Sequence, residues 1–81
     1  MLYYVPPQVP KSQGFNFLPP GTVRTYDAGK WAIYYNQAYN ETYIVIDFPN
    51  HWRVMQRFGR YSVKAASYEL SNVPCCQDLI E

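Results

Sequence analysis

Histidine is almost missing from this sequence, with His51 standing alone. One imidazole excludes any metal centre built on several histidines. Cysteine is confined to the neighbours Cys75 and Cys76, which lack the Cys-x-x-Cys spacing of a zinc site and cannot cross-link distant parts of a fold. A disulfide between neighbours closes a strained ring, so two reduced thiols in an intracellular, cytoplasmic protein are the expectation. The four glycines are isolated at positions 14, 21, 29 and 59, which leaves no glycine-rich phosphate loop. Charge is sparse, at 16% of residues with a formal net charge of +1, whereas a dedicated DNA-binding domain is usually far more basic. No apolar run approaches the roughly 18 residues that span a bilayer. The opening Met-Leu-Tyr-Tyr-Val-Pro-Pro lacks the basic n-region and the long apolar stretch of an export signal.

These absences bear on chemistry. His51, beside Trp52 in a turn, reads as a surface residue, and a Cys–His nucleophile pair would need a third group to orient the imidazole that no spacing supplies. Asp47, next to Phe48-Pro49, reads as an end-of-strand carboxylate that meets an arginine, in preference to a buried one with a raised pKa. Asn40-Glu41-Thr42 fits a glycosylation acceptor but reads as a turn. The expectation is a protein that is not an enzyme and uses no cofactor, no metal and no membrane.

Aromatic residues are what the sequence has in abundance, at 19% with nine tyrosines, within a chain that is 48% hydrophobic. Disordered chains lack such residues, so one folded domain with one modest core is expected. Domains this small often lean on a partner or a second copy.

Residues 1–21 stand apart and hold five of the seven prolines. Proline fixes φ and removes a backbone donor, so this arm is expected to run extended and largely outside any sheet ladder. Pro7-Gln8-Val9-Pro10 also fits the pattern of ligands for aromatic grooves. Yet Tyr3, Tyr4, Phe15, Phe17 and Leu18 are too apolar for a solvated linker. The arm must fold over the domain or lie on another molecule.

Residues 22–74 read as the domain, and 75–81 as a short acidic tail. Pro20-Gly21 suits the centre of a type II turn. Strands follow at 22–26, 31–36 and 42–48, rich in β-branched and aromatic residues, with Asp27-Ala28-Gly29-Lys30 and 37–41 as loops. Residues 52–58 alternate as a fourth strand, with Trp52, Val54 and Phe58 on one side and Arg53, Met55 and Arg57 on the other. The rival is a helix capped by Asn50 with Trp52, Met55 and Phe58 on one face, but nine residues are short for an unsupported helix. Ser62 then caps a helix near 62–71, carrying Val63, Ala66 and Leu70 at helical spacing, which Asn72 and Pro74 end. The fold class is α+β: a small antiparallel meander of three to four strands, one C-terminal helix and an extended Pro/aromatic-rich N-terminal arm. Trp31, Ile33, Val45, Ile46, Trp52 and Leu70 are expected among the most buried residues.

The central strands are apolar on both faces. One short helix covers one face, so the arm, a partner or a second copy must cover the other. That points to a small non-catalytic protein-interaction module using Tyr3, Tyr4, Phe15, Phe17, Tyr34, Arg53, Arg57, Arg60 and Tyr61, because tyrosine and arginine are enriched at binding hot spots. Such a chain would suit a virus- or phage-type accessory protein that binds or inhibits a protein partner. The alternative is nucleic-acid binding by Arg53, Arg57 and Arg60 on a sheet face. The order of three strands and a helix resembles that of the DNA-binding domains of plant transcription factors and phage integrase arms, with no shared motif.

Overall fold

A computed structural model describes residues 6–74. Its strands are β1 (Gln8–Pro10), β2 (Val23–Asp27), β3 (Trp31–Asn36), β4 (Glu41–Asp47) and β5 (His51–Phe58), followed by one helix, α1 (Val63–Ser71). All five strands form one antiparallel sheet in the order β1-β5-β4-β3-β2. Strands β2 to β5 are the expected meander.

The fifth strand corrects the expectation that the arm stays outside the ladder. Proline removes a donor but keeps its carbonyl, and an edge strand needs partners on one side only. The Val54 N–H donates to the Pro7 carbonyl at 3.1 Å, and Val9 lies opposite Trp52. Residues 51–58 settle as a strand, paired with β4 along the whole length from Glu41↔Phe58 to Asp47↔Trp52.

Turn chemistry sets the register. Gly21 and Gly29 adopt φ of 88° and 90°, where a side chain would be strained. The Thr22 N–H closes the Pro19-Pro20-Gly21 turn on the Pro19 carbonyl at 3.2 Å, and Asp27 Oδ1 accepts the Gly29 N–H at 2.8 Å. At α1, Ser62 Oγ accepts the Ala65 N–H at 3.1 Å, which is the expected cap.

The core lies between the sheet and α1. It comprises Trp31, Ile33, Ile44, Ile46, Met55, Ala66, Leu70 and Val73, with Tyr26, Phe48 and Tyr61 packed at its margin. Ile44, Ile46, Met55 and Leu70 are fully buried, each worth roughly 1.5–3 kcal/mol. One expectation needs correction. Trp52 is only half-buried, because its strand position turns it to the face away from α1. Val63 is 40% exposed, leaving Ala66 and Leu70 as the residues α1 buries.

Trp31↔Ile46, Ile33↔Ile44 and Ile44↔Met55 are cross-strand pairs on the α1 side. On the reverse face, rows run across the strands as Asp27-Ala32-Val45-Val54 and Arg24-Tyr34-Tyr43-Gln56. Arm residues 11–20 lie against this second face. Among the described residues no helix is long and apolar enough to cross a membrane.

Candidate interaction surface

The arm reaches its face through four kinds of contact. The β1–β5 ladder aligns it, and Arg53 Nη1 donates to the Pro6 carbonyl at 2.7 Å. Lys11 forms an ion pair with Asp47 and lies 5.8 Å from the Trp52 ring. Asp47 therefore meets a lysine of the arm where an arginine was expected. Phe15 then stacks on Trp52, with ring centroids 4.3 Å apart and planes 21° apart, and meets Tyr34 at 5.8 Å. Phe17 packs on Trp52 at 5.7 Å, tilted by 49°.

The base of the arm is locked by Asn36, one of two buried polar residues among those described. Asn36 Nδ2 donates to the Pro20 carbonyl at 3.1 Å and to Thr22 Oγ1 at 3.0 Å, while Asn36 Oδ1 accepts the Tyr39 N–H at 3.0 Å. A single amide thus ties the arm's turn to the β3–β4 loop. The other buried polar group, Thr42, donates to the Gly59 carbonyl at 2.5 Å and accepts the Tyr61 N–H at 3.2 Å. That fixes the path from β5 into α1.

The predicted residues therefore divide. Phe15, Phe17 and Tyr34 converge around Trp52. Arg53 and Arg57 lie on the opposite, helix-covered face, where Arg53 holds the arm and Arg57 pairs with Glu69 of α1 at 3.0 Å. Arg60 is exposed and sits 5.0 Å from the Tyr35 ring. Tyr61 packs at the core margin. Tyr3 and Tyr4, like Cys75 and Cys76, lie outside the described residues. His51 is half-buried and stacks on Phe48 at 5.0 Å. Among the described residues no group of three or more His, Cys, Asp or Glu side chains is placed to hold a metal ion.

Trp52 is the hub that the residue selection missed. Its alternation with Val54 and Phe58 was the available signal. Asn36 has a local partner in the Tyr39 N–H, but the two partners that tie it to the arm are 14 and 16 residues away and left no signal in the sequence.

Two hollows flank this aromatic cluster. One, of about 140 Å³, has Ala32 and Val45 as its floor, Phe15, Tyr34 and Trp52 as walls, and Arg24, Asp27 and Asp47 at its rim. The other, of about 260 Å³, is lined by Pro7, Val9, Phe17, Tyr43, Val54 and Gln56. Beside it, Glu41 accepts hydrogen bonds from Tyr43 Oη at 2.6 Å and from Gln56 Nε2 at 2.7 Å. These bonds, Tyr43's first, hold the Glu41 carboxyl below its ordinary pKa, while burial and the same carboxylate push the Tyr43 phenol up to about 12.

Comparison with protein-family models, curated proteins and solved structures finds no match to this chain.

Proposed function

We propose that this chain is a small, non-catalytic protein-interaction module that binds a protein partner through its arm-bearing face. It acts inside the cell as an accessory protein of the kind viruses and phages encode, binding or inhibiting its partner. Phe15 carries the reading: it is stacked on Trp52 and yet remains 47% exposed. Aromatic side chains are costly to leave in water, and they supply most hot-spot energy when a partner covers them. The rings of Phe15, Phe17, Tyr34 and Trp52 already brace one another, so little side-chain entropy remains to be lost on binding. Two ion pairs, Lys11–Asp47 and Arg24–Asp27, border the cluster as a polar rim.

The test compares proteins captured from extract by the parent chain, by Phe15→Ala and by Tyr68→Ala. Tyr68 is 69% exposed on α1, away from the arm face. A partner retained by the parent and by Tyr68→Ala but lost with Phe15→Ala supports the proposal. Identical capture by all three chains refutes it.

A further inference from the structure

We infer that Glu41 and the exposed ring of Phe58 hold an arginine side chain presented by the protein partner. This rests on the interaction reading above and names one residue that the partner supplies. Glu41 differs from the other described carboxylates. Asp27 pairs with Arg24, Asp47 with Lys11 and Glu69 with Arg57. The hydrogen bonds to Glu41 come instead from two neutral groups, Tyr43 Oη and Gln56 Nε2. Among the described residues it is therefore the one acidic charge that no cation balances. The arginines that follow it on β5 and beyond are engaged on the other side of the sheet. Arg57 is turned to Glu69 of α1, and Arg60 lies over the ring of Tyr35, which alternates with the core residue Ile33 on β3.

The geometry suits a guanidinium. Each Glu41 oxygen already accepts one bond, Oε1 at 2.6 Å and Oε2 at 2.7 Å, so the carboxylate is oriented and each oxygen keeps an open lone pair. Two such sites side by side match the paired N–H donors of arginine, which the point charge of a lysine does not. Phe58 is the cross-strand partner of Glu41, so both side chains stand on one face. Its ring is 80% exposed and offers a surface on which a flat cation can lie. Tyr39, two residues before Glu41, is 61% exposed, and its phenol is one of the groups that raise the pKa of Tyr43. The corner continues the proposed interface. The row Asn36-Glu41-Phe58 lies next to the row Arg24-Tyr34-Tyr43-Gln56, and Tyr43 and Gln56 line the larger hollow together with Phe17. A partner that covers Phe15 and extends across this face meets the Glu41 carboxylate. Covering an unbalanced charge is costly unless the partner brings a cation to it. A phosphate or an acidic side chain would be repelled at the same place.

The experiment titrates the isotope-labelled full chain with N-acetylarginine methylamide, with the lysine and citrulline analogues for comparison. NMR reads the side-chain carboxyl carbons and the aromatic rings. Saturable shifts are expected at the Glu41 carboxyl and the Phe58 ring, with a dissociation constant on the order of 10–30 mM for so small a probe. Asp27, Asp47 and Glu69 are internal references, already paired within the chain, and should respond at least about threefold more weakly. The lysine analogue should bind about threefold more weakly than arginine, and citrulline should not saturate. Glu41→Gln should abolish the shift at Phe58, and Phe58→Ala should weaken arginine at least about threefold. Phe58 stands largely in solvent, so Phe58→Ala keeps the test valid if Glu41→Gln disturbs Tyr43 and Gln56. A Glu41 carboxyl that responds no more tightly than the three references would overturn the assignment. So would equal binding of lysine or citrulline, or a Phe58 ring that does not shift. Failure here alongside partner capture that still depends on Phe15 removes the arginine contact and leaves the interaction module standing. Arginine binding at Glu41 alongside capture that ignores Phe15 removes the module, and with it the partner as the source of the side chain.

Discussion

Replacing Asn36 with alanine should cost about 3 kcal/mol. The amide makes three hydrogen bonds, two donated to Pro20 and Thr22 and one accepted from Tyr39, and the residue is 1% exposed. Each bond contributes roughly 0.5–1.5 kcal/mol net, and the buried Asn36 amide makes all three at once. Domains of this length have total stabilities of about 4–12 kcal/mol, so the variant sits near the edge of folding. The midpoint of thermal unfolding should fall on the order of 12–24 °C. Denaturant unfolding followed by tryptophan fluorescence measures the loss directly, and an unchanged m-value would assign it to stability. Asn36→Asp makes the reasoning sharper. It keeps an acceptor for the Tyr39 N–H but turns a carboxylate towards the Pro20 carbonyl, so it should be as unstable as Asn36→Ala at pH 7. It should recover in acid, where a protonated carboxyl donates one bond. A loss under about 1 kcal/mol for Asn36→Ala would show that solvent reaches these groups and that Asn36 does not lock the arm.

Deleting residues 1–18 should lower thermal stability and cause aggregation through the bared Trp52–Tyr34 face, seen by light scattering; a truncated chain as stable and monodisperse as the parent would mean that the arm is no internal cover. On the acid side, Glu41 has its carboxyl held below the ordinary 4.5, so its contribution is complete above that value and is lost as pH falls beneath it. On the alkaline side, Tyr43 holds its proton to about 12 where an unfolded tyrosine releases it near 10, so its contribution is complete below pH 10 and fades towards pH 12. Tyr43→Phe should flatten both limbs of the stability–pH curve, and an unaltered curve would dissociate these shifts from stability. Titration with duplex and single strands at low salt should show no binding tighter than roughly 10⁻⁴ M, since Arg53 and Arg57 are engaged on the helix side; tighter, salt-sensitive binding lost with Arg60→Ala would replace the protein partner by nucleic acid.

Period-two alternation and turn residues determined the meander by themselves. Asp27 and Gly29, Pro20-Gly21 and the Ser62 cap are local devices, each acting within a few residues, and all formed as their side chains dictate. The same alternation fixes which residues share a face and places Met55 and Trp52 on opposite sides of the strand. It also showed that both faces are apolar and that the chain needs two covers. Alternation cannot tell which face receives the helix, and that is why Trp52 was expected in the core while Met55 occupies it. The tertiary structure made that choice by docking Ala66 and Leu70 on Ile33, Ile44 and Met55. Arg57 was thereby committed to Glu69, and Phe15 and Phe17 of the arm were left to cover the other side. The strand within the proline-rich arm was likewise beyond local rules, because its hydrogen bond comes from Val54, 47 residues away, and proline statistics describe the missing donor and not the carbonyl that remains. The candidate site follows the same logic. Its aromatic residues were legible as a composition, but their convergence on Trp52, and the hollow left by Ala32 among them, come from register between strands that only the folded sheet sets.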